Sequence, residues 1–357
     1  MKTLYLHIGH YKTGTSAIQK YLSENADDLA KHDYYYPPTA RPRSNPTTHG
    51  DLSLTIASKH GFQPPAWYKE RKDLDEVYAE FLADCRAAPQ QNIVASSEEF
   101  FQLALRNSSE TALEDLRDRL VEFDVRIVLF IREPFALLKS WFGEVNKGPF
   151  GTRPFPVFFK NLESNFLSQN LVYRRFAAVF GAEKMIVKSY KHYGLDHIRD
   201  FLSAIHFSPL PEGDEWRVNE GQDIRFLEMA RLAKQRNCTY EEATLSKVGD
   251  MKKLEAKVEE INSDFAAVSQ LSDMPQTSEL SLENVFGHYR DLIAPLVEIK
   301  GINNEEASVL RDAAIKVEAS NLKLARILME TALLIRPGGS FIRDKVKAYE
   351  LKEQDLG

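Results

Sequence analysis

The residues best equipped for chemistry lie near the start of the chain, in LYLHIGHYKTGTSAIQKYL. An apolar run leads to Gly9 and His10. Lys12-Thr13-Gly14-Thr15-Ser16 follows, and a helical pattern begins at once. Glycine lets the backbone approach an oxyanion closely, and the unpaired N–H groups of a helix start point toward it. The hydroxyls of Thr13, Thr15 and Ser16 add donors, and Lys12 adds a compact positive charge. The same residue types meet in ordinary strand-to-helix turns. Their place after the first strand and directly before a helix favours an anion site. The loop is not a Walker A motif, in which lysine follows the last glycine; here Lys12 precedes Gly14.

Three further groups could complete such a site. In VRIVLFIREPFALLKSWF a strand pattern ends at Arg132, Pro134 suits a first helical turn, and Ser140 lies eight residues beyond the arginine. Arg132 presents a planar fork of donors to a phosphate, or alternatively pairs with Glu133 as a structural ion pair. In NIVASSEEFF a strand pattern runs into Ser96-Ser97-Glu98-Glu99. Read from the residues alone, Glu98 there is an acid stabilised by a helix start. Glu99, next along, is expected on another face if strand alternation continues. His49, in TTHGD, is a candidate base, since an imidazole titrates near neutrality.

The opening stretch resembles the 5′-phosphosulfate loop of the P-loop sulfotransferase superfamily, especially bacterial members with HIGxxKTGT-S-IQ openings. By that resemblance Lys12, Gly14, Thr15 and Ser16 hold the 5′-phosphate and sulfuryl end of 3′-phosphoadenosine 5′-phosphosulfate (PAPS), with Gly9 and Thr13 as further binding residues of the same loop; His10, also in the loop, either adds a contact or faces solvent. Arg132 and Ser140 resemble the family's grip on the ribose 3′-phosphate. Glu98 matches the position of a substrate-side base, with His49 as the alternative. Tyr190, in EKMIVKSYKHYGLDHI, resembles a tyrosine near the adenine and reads equally well as a core residue; Lys191 stands where the family has Glu. Many cytosolic relatives carry a tryptophan for the adenine just after the first loop, whereas this chain has Ala17, so adenine contacts must come partly from elsewhere. The implied reaction moves the sulfuryl group of PAPS to an acceptor hydroxyl or amine, of a carbohydrate or a small molecule. It releases adenosine 3′,5′-bisphosphate and needs no metal. A P-loop kinase shares the strand–loop–helix start but leaves Arg132 and Ser140 without a role. An inactive nucleotide-binding scaffold is the remaining alternative.

Positioning these groups requires strands that end side by side. Thr3–Ile8, Asn92–Ser96, Val125–Ile131 and Met185–Ser189 read as buried parallel strands, with Asp33–Tyr36 as a short edge strand before Pro37-Pro38. Helical patterns at Thr15–Lys31, Asp73–Ala87, Glu110–Phe123, Pro134–Asn146, Asn170–Phe180 and Asp196–Ile205 separate them. The class is therefore α/β, a doubly wound parallel sheet. Pro37–Pro65 is expected to be a long irregular loop. Beyond Trp216 the patterns turn helical, at Asp223–Arg236, Tyr240–Phe265 and Asn304–Ile335. The expected division is a PAPS-binding core over 1–215 and an α-helical region over 216–357. A tetratricopeptide-like hairpin at 304–350 reads as a helical cap, or as a contact surface for a protein partner. Arg336-Pro337-Gly338-Gly339 reads as a helix stop.

Composition limits the classes. With 46 Lys and Arg against 52 Asp and Glu, the net charge of −6 opposes nonspecific nucleic-acid binding. The two cysteines, Cys85 and Cys238, make neither a disulfide framework nor a metal cluster. No apolar run approaches the roughly 20 residues of a membrane span, so a soluble cytoplasmic protein is expected.

Overall fold

Residues of alternate parity in the apolar runs need burial on opposite faces, and this makes them strands covered on both sides. The computed structural model describes residues 1–65, 67–69, 72–106, 108–147, 153–190, 194–213, 227–228, 231, 248–273, 277–297 and 304–356. Its strands are β1 (Thr3–His7), β2 (Tyr34–Tyr35), β3 (Asn92–Ser96), β4 (Asp124–Ile131) and β5 (Met185–Ser189). They pair in parallel in the order β2-β3-β1-β4-β5. The chain forms two compact units. The first comprises Met1–Arg132, Ser168–Glu220 and Asp264–Gln276; the second comprises Glu133–Leu167, Gly221–Ser263 and Thr277–Gly357.

The first unit holds the sheet. Leu4, Leu6, Ile93, Ile127 and Leu129 turn to one face, where they meet Phe81 of α4 (Leu74–Ala87), Leu116 of α6 (Ser109–Arg119) and Phe176 of α9 (Gln169–Phe180). Tyr5, Val94, Val128 and Phe130 turn to the other, against Ile18 and Leu22 of α1 (Thr15–Glu24) and Phe201 of α10 (Asp196–Ala204). Each such side chain, fully buried, contributes about 1.5–3 kcal/mol, so a register slip of one residue would reverse both faces at once. The sheet is thus doubly wound, as the sequence pattern requires.

Order and register set where function can sit. From β1 the chain first builds outward through β2 and β3, then returns to place β4 on the other side of β1. Parallel sheets open a crevice beyond the carboxyl ends at such a reversal. There His7 pairs with Ser96 of β3 and with Val128 of β4. Hydrogen bonds from Ser97 N to His7 O (3.0 Å) and from Ile8 N to Val128 O (3.0 Å) continue the alignment past β1.

Some elements differ from the sequence reading. Gly50–Lys59 is a helix, α3, inside the stretch expected to be irregular. Gly50 through Ala57 are all buried, and the Tyr78 hydroxyl donates to Leu52 O at 3.1 Å. Burial and this tie override the low helix propensity of its Ser and Thr residues. The pattern Thr15–Lys31 is two helices, α1 and α2 (Ala26–Lys31), broken at Asn25. Asn25 leaves helical geometry at φ −110°, and its side-chain amide donates to Tyr21 O at 2.9 Å, a local bond that competes with the helix. A short helix, α5 (Glu99–Leu103), follows β3 directly.

The second unit is helical among its described residues. It contains α7 (Pro134–Lys147), α8 (Phe155–Asn161) and the helices Leu282–Val297, Asn304–Val317, Leu322–Ile335 and Ser340–Leu356. The helix at Leu282–Val297 was not foreseen. Most of Asp223–Arg236 and the first part of Tyr240–Phe265 lie outside the described residues; Met251–Ser269 is helical. Gly339 N donates to Arg336 O, closing the turn between the last two helices. Glu133 starts α7. Its Oε1 accepts from Phe135 N (2.9 Å), Ser278 Oγ (3.0 Å) and Glu279 N (3.0 Å), and its Oε2 accepts from Ala136 N (2.7 Å). Glu133→Ala is expected to cost about 1–2 kcal/mol and Glu133→Gln less. Thermal melts check this, and an unchanged Tm in Glu133→Ala would refute the capping role.

Candidate functional site

The loop after β1 is folded around one oxygen. The His10 carbonyl accepts from Thr13 N (3.3 Å), Thr13 Oγ1 (2.6 Å) and Thr15 Oγ1 (3.3 Å). This tight curl puts Lys12 at φ +65° and Gly14 at φ +77°. The left-handed region costs a non-glycine residue about 1–2 kcal/mol, so Lys12 is held there by its surroundings. One holder is Arg132, whose Nη1 donates to the Lys12 carbonyl. Gly14 is required twice over. Besides its φ, a Cβ there would lie 2.4 Å from His197 Nε2 and 2.8 Å from Tyr190 Cε2. Gly9 is constrained by packing: a Cβ there would meet His7 Nε2 at 2.9 Å.

The loop residues expected to surround an anion divide into those that build the loop and those that face outward. Thr13 and Thr15 are buried, and their hydroxyl protons are directed to His10. His10 is fully buried, packs against Phe101 with ring centroids 4.3 Å apart, and places Nδ1 2.8 Å from Tyr11 O. Ser16 is exposed and Lys12 half-buried at the mouth of α1, whose N-cap is Gly14. The start of α1, Ser16 and Lys12 bring together residue types suited to a phosphate or sulfate group. His7, beneath the loop, shares a hydrogen bond with Ser96 Oγ (2.8 Å). Burial, with His197 nearby, lowers its basicity to about 3, so the ring is neutral.

Beyond β3 the strand alternation stops, so the condition for Glu98 and Glu99 to diverge as strand neighbours is not met. Glu98 is already helical, at φ −65° and ψ −19°. Gln19 Nε2 of α1 donates to Glu98 Oε2 at 2.9 Å, and the Tyr11 hydroxyl donates to Glu99 Oε1 at 2.7 Å. Both carboxylates are thus tied to the β1 loop and its helix. Glu98 is half-buried and Glu99 buried. Burial raises the Glu99 carboxyl to about 7, opposed by the Tyr11 hydrogen bond, reinforced by Glu98 and opposed again by Arg106.

His49 is placed differently from a proton acceptor. Its Nε2 donates to Pro37 O at 3.0 Å and its Nδ1 accepts from Ser96 N at 3.2 Å, with the ring fully buried. Burial and the nearby Arg41 lower its basicity to about 3. Both nitrogens are spent pinning the 37–49 segment to β3.

At the end of β4, the Arg132 main chain is clasped by the buried Gln169 side chain. Arg132 N donates to Gln169 Oε1, and Gln169 Nε2 donates to Arg132 O, both at 2.7 Å. This amide stands in for a neighbouring strand and fixes where the guanidinium begins. The guanidinium carbon lies 4.8 Å from the centre of the Tyr190 ring, a cation–π contact. Tyr190 N donates to Ile131 O at 2.8 Å, setting that ring just past β5, while Lys191 lies outside the described residues. Ser140 is half-buried in α7 of the second unit. Tyr11, Gln169 and His197 are not marked by any local spacing, and Gln19 stands in the quoted HIGxxKTGT-S-IQ opening without a role assigned to it.

No protein-family model and no curated protein matches the chain. Among solved structures it is similar to a sulfotransferase from Alicyclobacillus acidocaldarius. Identity is 15%, 77% of this chain and 98% of that chain are covered, and the TM-score is 0.43. A likeness that distant bears on neither ligand nor activity. What the structure does define is an α/β protein with lysine, arginine and carboxylate groups at the carboxyl end of a parallel sheet.

Two outcomes test this geometry. Gly14→Ala is expected to destabilise the protein by about 1–3 kcal/mol. Part of that loss should return in the Gly14→Ala/His197→Ala double variant, as melts can show; strictly additive losses would deny the contact. Glu99 gives a pH signature. Folding lifts its carboxyl from 4.5 to about 7, so between those values the native state holds a proton that the unfolded chain has lost. Its contribution therefore falls as pH rises through that window. Glu99→Gln, always neutral, should gain on the wild type between pH 5 and pH 8 by up to about 3 kcal/mol. A difference independent of pH would contradict this.

Proposed function

We propose that the chain is a sulfotransferase that transfers the sulfuryl group of PAPS to an acceptor hydroxyl or amine, of a carbohydrate or a small molecule. The observation that carries this reading is the hydrogen bond from Arg132 to the Lys12 carbonyl. It brings the strand-end arginine and the anion loop, far apart in sequence, to the same end of one sheet. Donors suited to a doubly phosphorylated nucleotide thus lie at the crevice of the switch point.

The residues divide the work as follows. Backbone N–H groups of the first turn of α1, with Ser16, bind the 5′-phosphosulfate; Arg132, backed by Tyr190, binds the 3′-phosphate. The sequence motif alone assigns Ser140 to the 3′-phosphate. PAPS supplies an activated sulfuryl group on a phosphate leaving group. The acceptor oxygen forms a bond to sulfur as the bond from sulfur to the bridging oxygen breaks, and the electron pair leaves with adenosine 3′,5′-bisphosphate. Lys12 balances the charge that grows on that oxygen. Glu98 takes the acceptor proton, since its Oε1 carries no hydrogen bond among the described residues. The commitments of both His49 nitrogens favour Glu98 for this role.

Assays with labelled PAPS against a panel of sugars, alcohols and phenols should reveal a sulfated product. Lys12→Ala is expected to lower kcat/KM by about 10²–10³-fold. Ser140→Ala should weaken binding of adenosine 3′,5′-bisphosphate by about tenfold. Wild-type kinetics in both variants would reject the assignment. Thermal stabilisation by ATP with magnesium in preference to adenosine 3′,5′-bisphosphate would reject the reading itself.

A further inference from the structure

Gln19 lies one helical turn beyond Thr15 on α1 and is 1% exposed. A long polar side chain is buried only where its hydrogen bonds are met. Its amide donates to Glu98 Oε2 at 2.9 Å, across a span from the first helix to the end of β3. Because an ionised carboxylate only accepts, the bond holds one oxygen of Glu98 and fixes the rotamer. The other oxygen, Oε1, carries no hydrogen bond among the described residues. The helix that bears Gln19 is the one whose first turn closes the anion loop through Thr15 Oγ1. One rigid turn thus links the loop to the orientation of the carboxylate.

We propose that Gln19 is a positioning residue: it aims the Glu98 carboxylate at the acceptor and sets its distance from the group bound at the start of α1. The proposal rests on the sulfotransferase reading above and deepens it. Donor binding uses the loop, whereas Gln19 acts on the base through one hydrogen bond. Removing that bond therefore affects turnover and leaves nucleotide affinity in place. The role requires the amide. Leucine fills similar space without a donor, and methionine keeps the length without one.

The test uses the whole chain described above and two readouts. Binding of adenosine 3′,5′-bisphosphate is followed by calorimetry. Turnover is followed as release of the same nucleotide from labelled PAPS with water as acceptor, so that no acceptor need be known. In Gln19→Leu, turnover is expected to fall about tenfold or more while the dissociation constant stays within about twofold. In a Glu98→Gln background the same change should cost nothing further, since the two residues act as one unit. Gln19→Met should repeat the pattern and serves if Gln19→Leu does not fold. Unchanged turnover in either folded variant, a multiplicative loss in the double variant, or equal losses of binding and turnover would overturn the positioning role while leaving the sulfotransferase reading intact. A wild-type protein that fails to bind the nucleotide, or to release it from PAPS, would overturn both.

Discussion

The carbonyl oxygen of His10 is the point on which the candidate site is built. Three donors converge on it, a main-chain N–H and two threonine hydroxyls. No extended or helical path lets residues 13 and 15 reach back to residue 10 together, so the chain must curl. The curl obliges Lys12 and Gly14 to adopt positive φ. It also leads directly into α1, whose start favours an anion. Thr13 and Thr15 are thus structural at the level of their hydroxyls, and the residue types suited to an anion are those at the start of α1, Ser16 and Lys12.

The surroundings hold this strained loop from several sides. Arg132 grips the Lys12 carbonyl, and Gln169 in turn fixes the Arg132 main chain. Tyr190 and His197 close against Gly14. On the far side, Tyr11 and Gln19 reach Glu99 and Glu98. Each contact joins segments that parallel pairing brings to one level, since His7, Ser96 and Val128 share a register. The sheet therefore determines which chemistry can meet, and the side-chain ties determine how closely. Local strain of about 1–3 kcal/mol at such a site is sustained only by surroundings that over-determine it.

Much of this was legible in the residues themselves. The strands β1 and β3 and the later part of β4 are buried and read as apolar runs, whereas β5, at the sheet edge, is half-buried up to Ser189 and is legible mainly from Met185-Ile186-Val187. Lys12, Gly14 and Arg132 announce themselves because each stands at a strand end with the flanking pattern of a turn into a helix. Other features were hidden for physical reasons. The helix α3 is poor in strong helix formers and is stabilised by burial that only the tertiary structure supplies. His49 has the residue type of a base, but its two backbone bonds depend on Ser96 and Pro37, which no spacing reveals. The relation of Glu98 to Glu99 depends on whether strand alternation continues past β3, and the helical geometry of Glu98 that decides it is not legible in the residues. Gln169 reads as an ordinary helix residue until its distant partner is known, and Gln19, although part of the quoted opening, shows no role until Glu98 is placed beside it.

One nucleotide is proposed to be held by both its phosphates, the 5′ group on the start of α1 and the 3′ group on Arg132, which itself braces the loop at the Lys12 carbonyl. The most direct measurement is calorimetric comparison of adenosine 3′,5′-bisphosphate with adenosine 5′-monophosphate, on the wild type and on Arg132→Ala. The bisphosphate is expected to bind the wild type about 10²-fold more tightly, as one or two charge-assisted hydrogen bonds would give, and that advantage is expected to vanish in Arg132→Ala. Equal affinities for the two nucleotides in the wild type, or an advantage that survives the substitution, would contradict it.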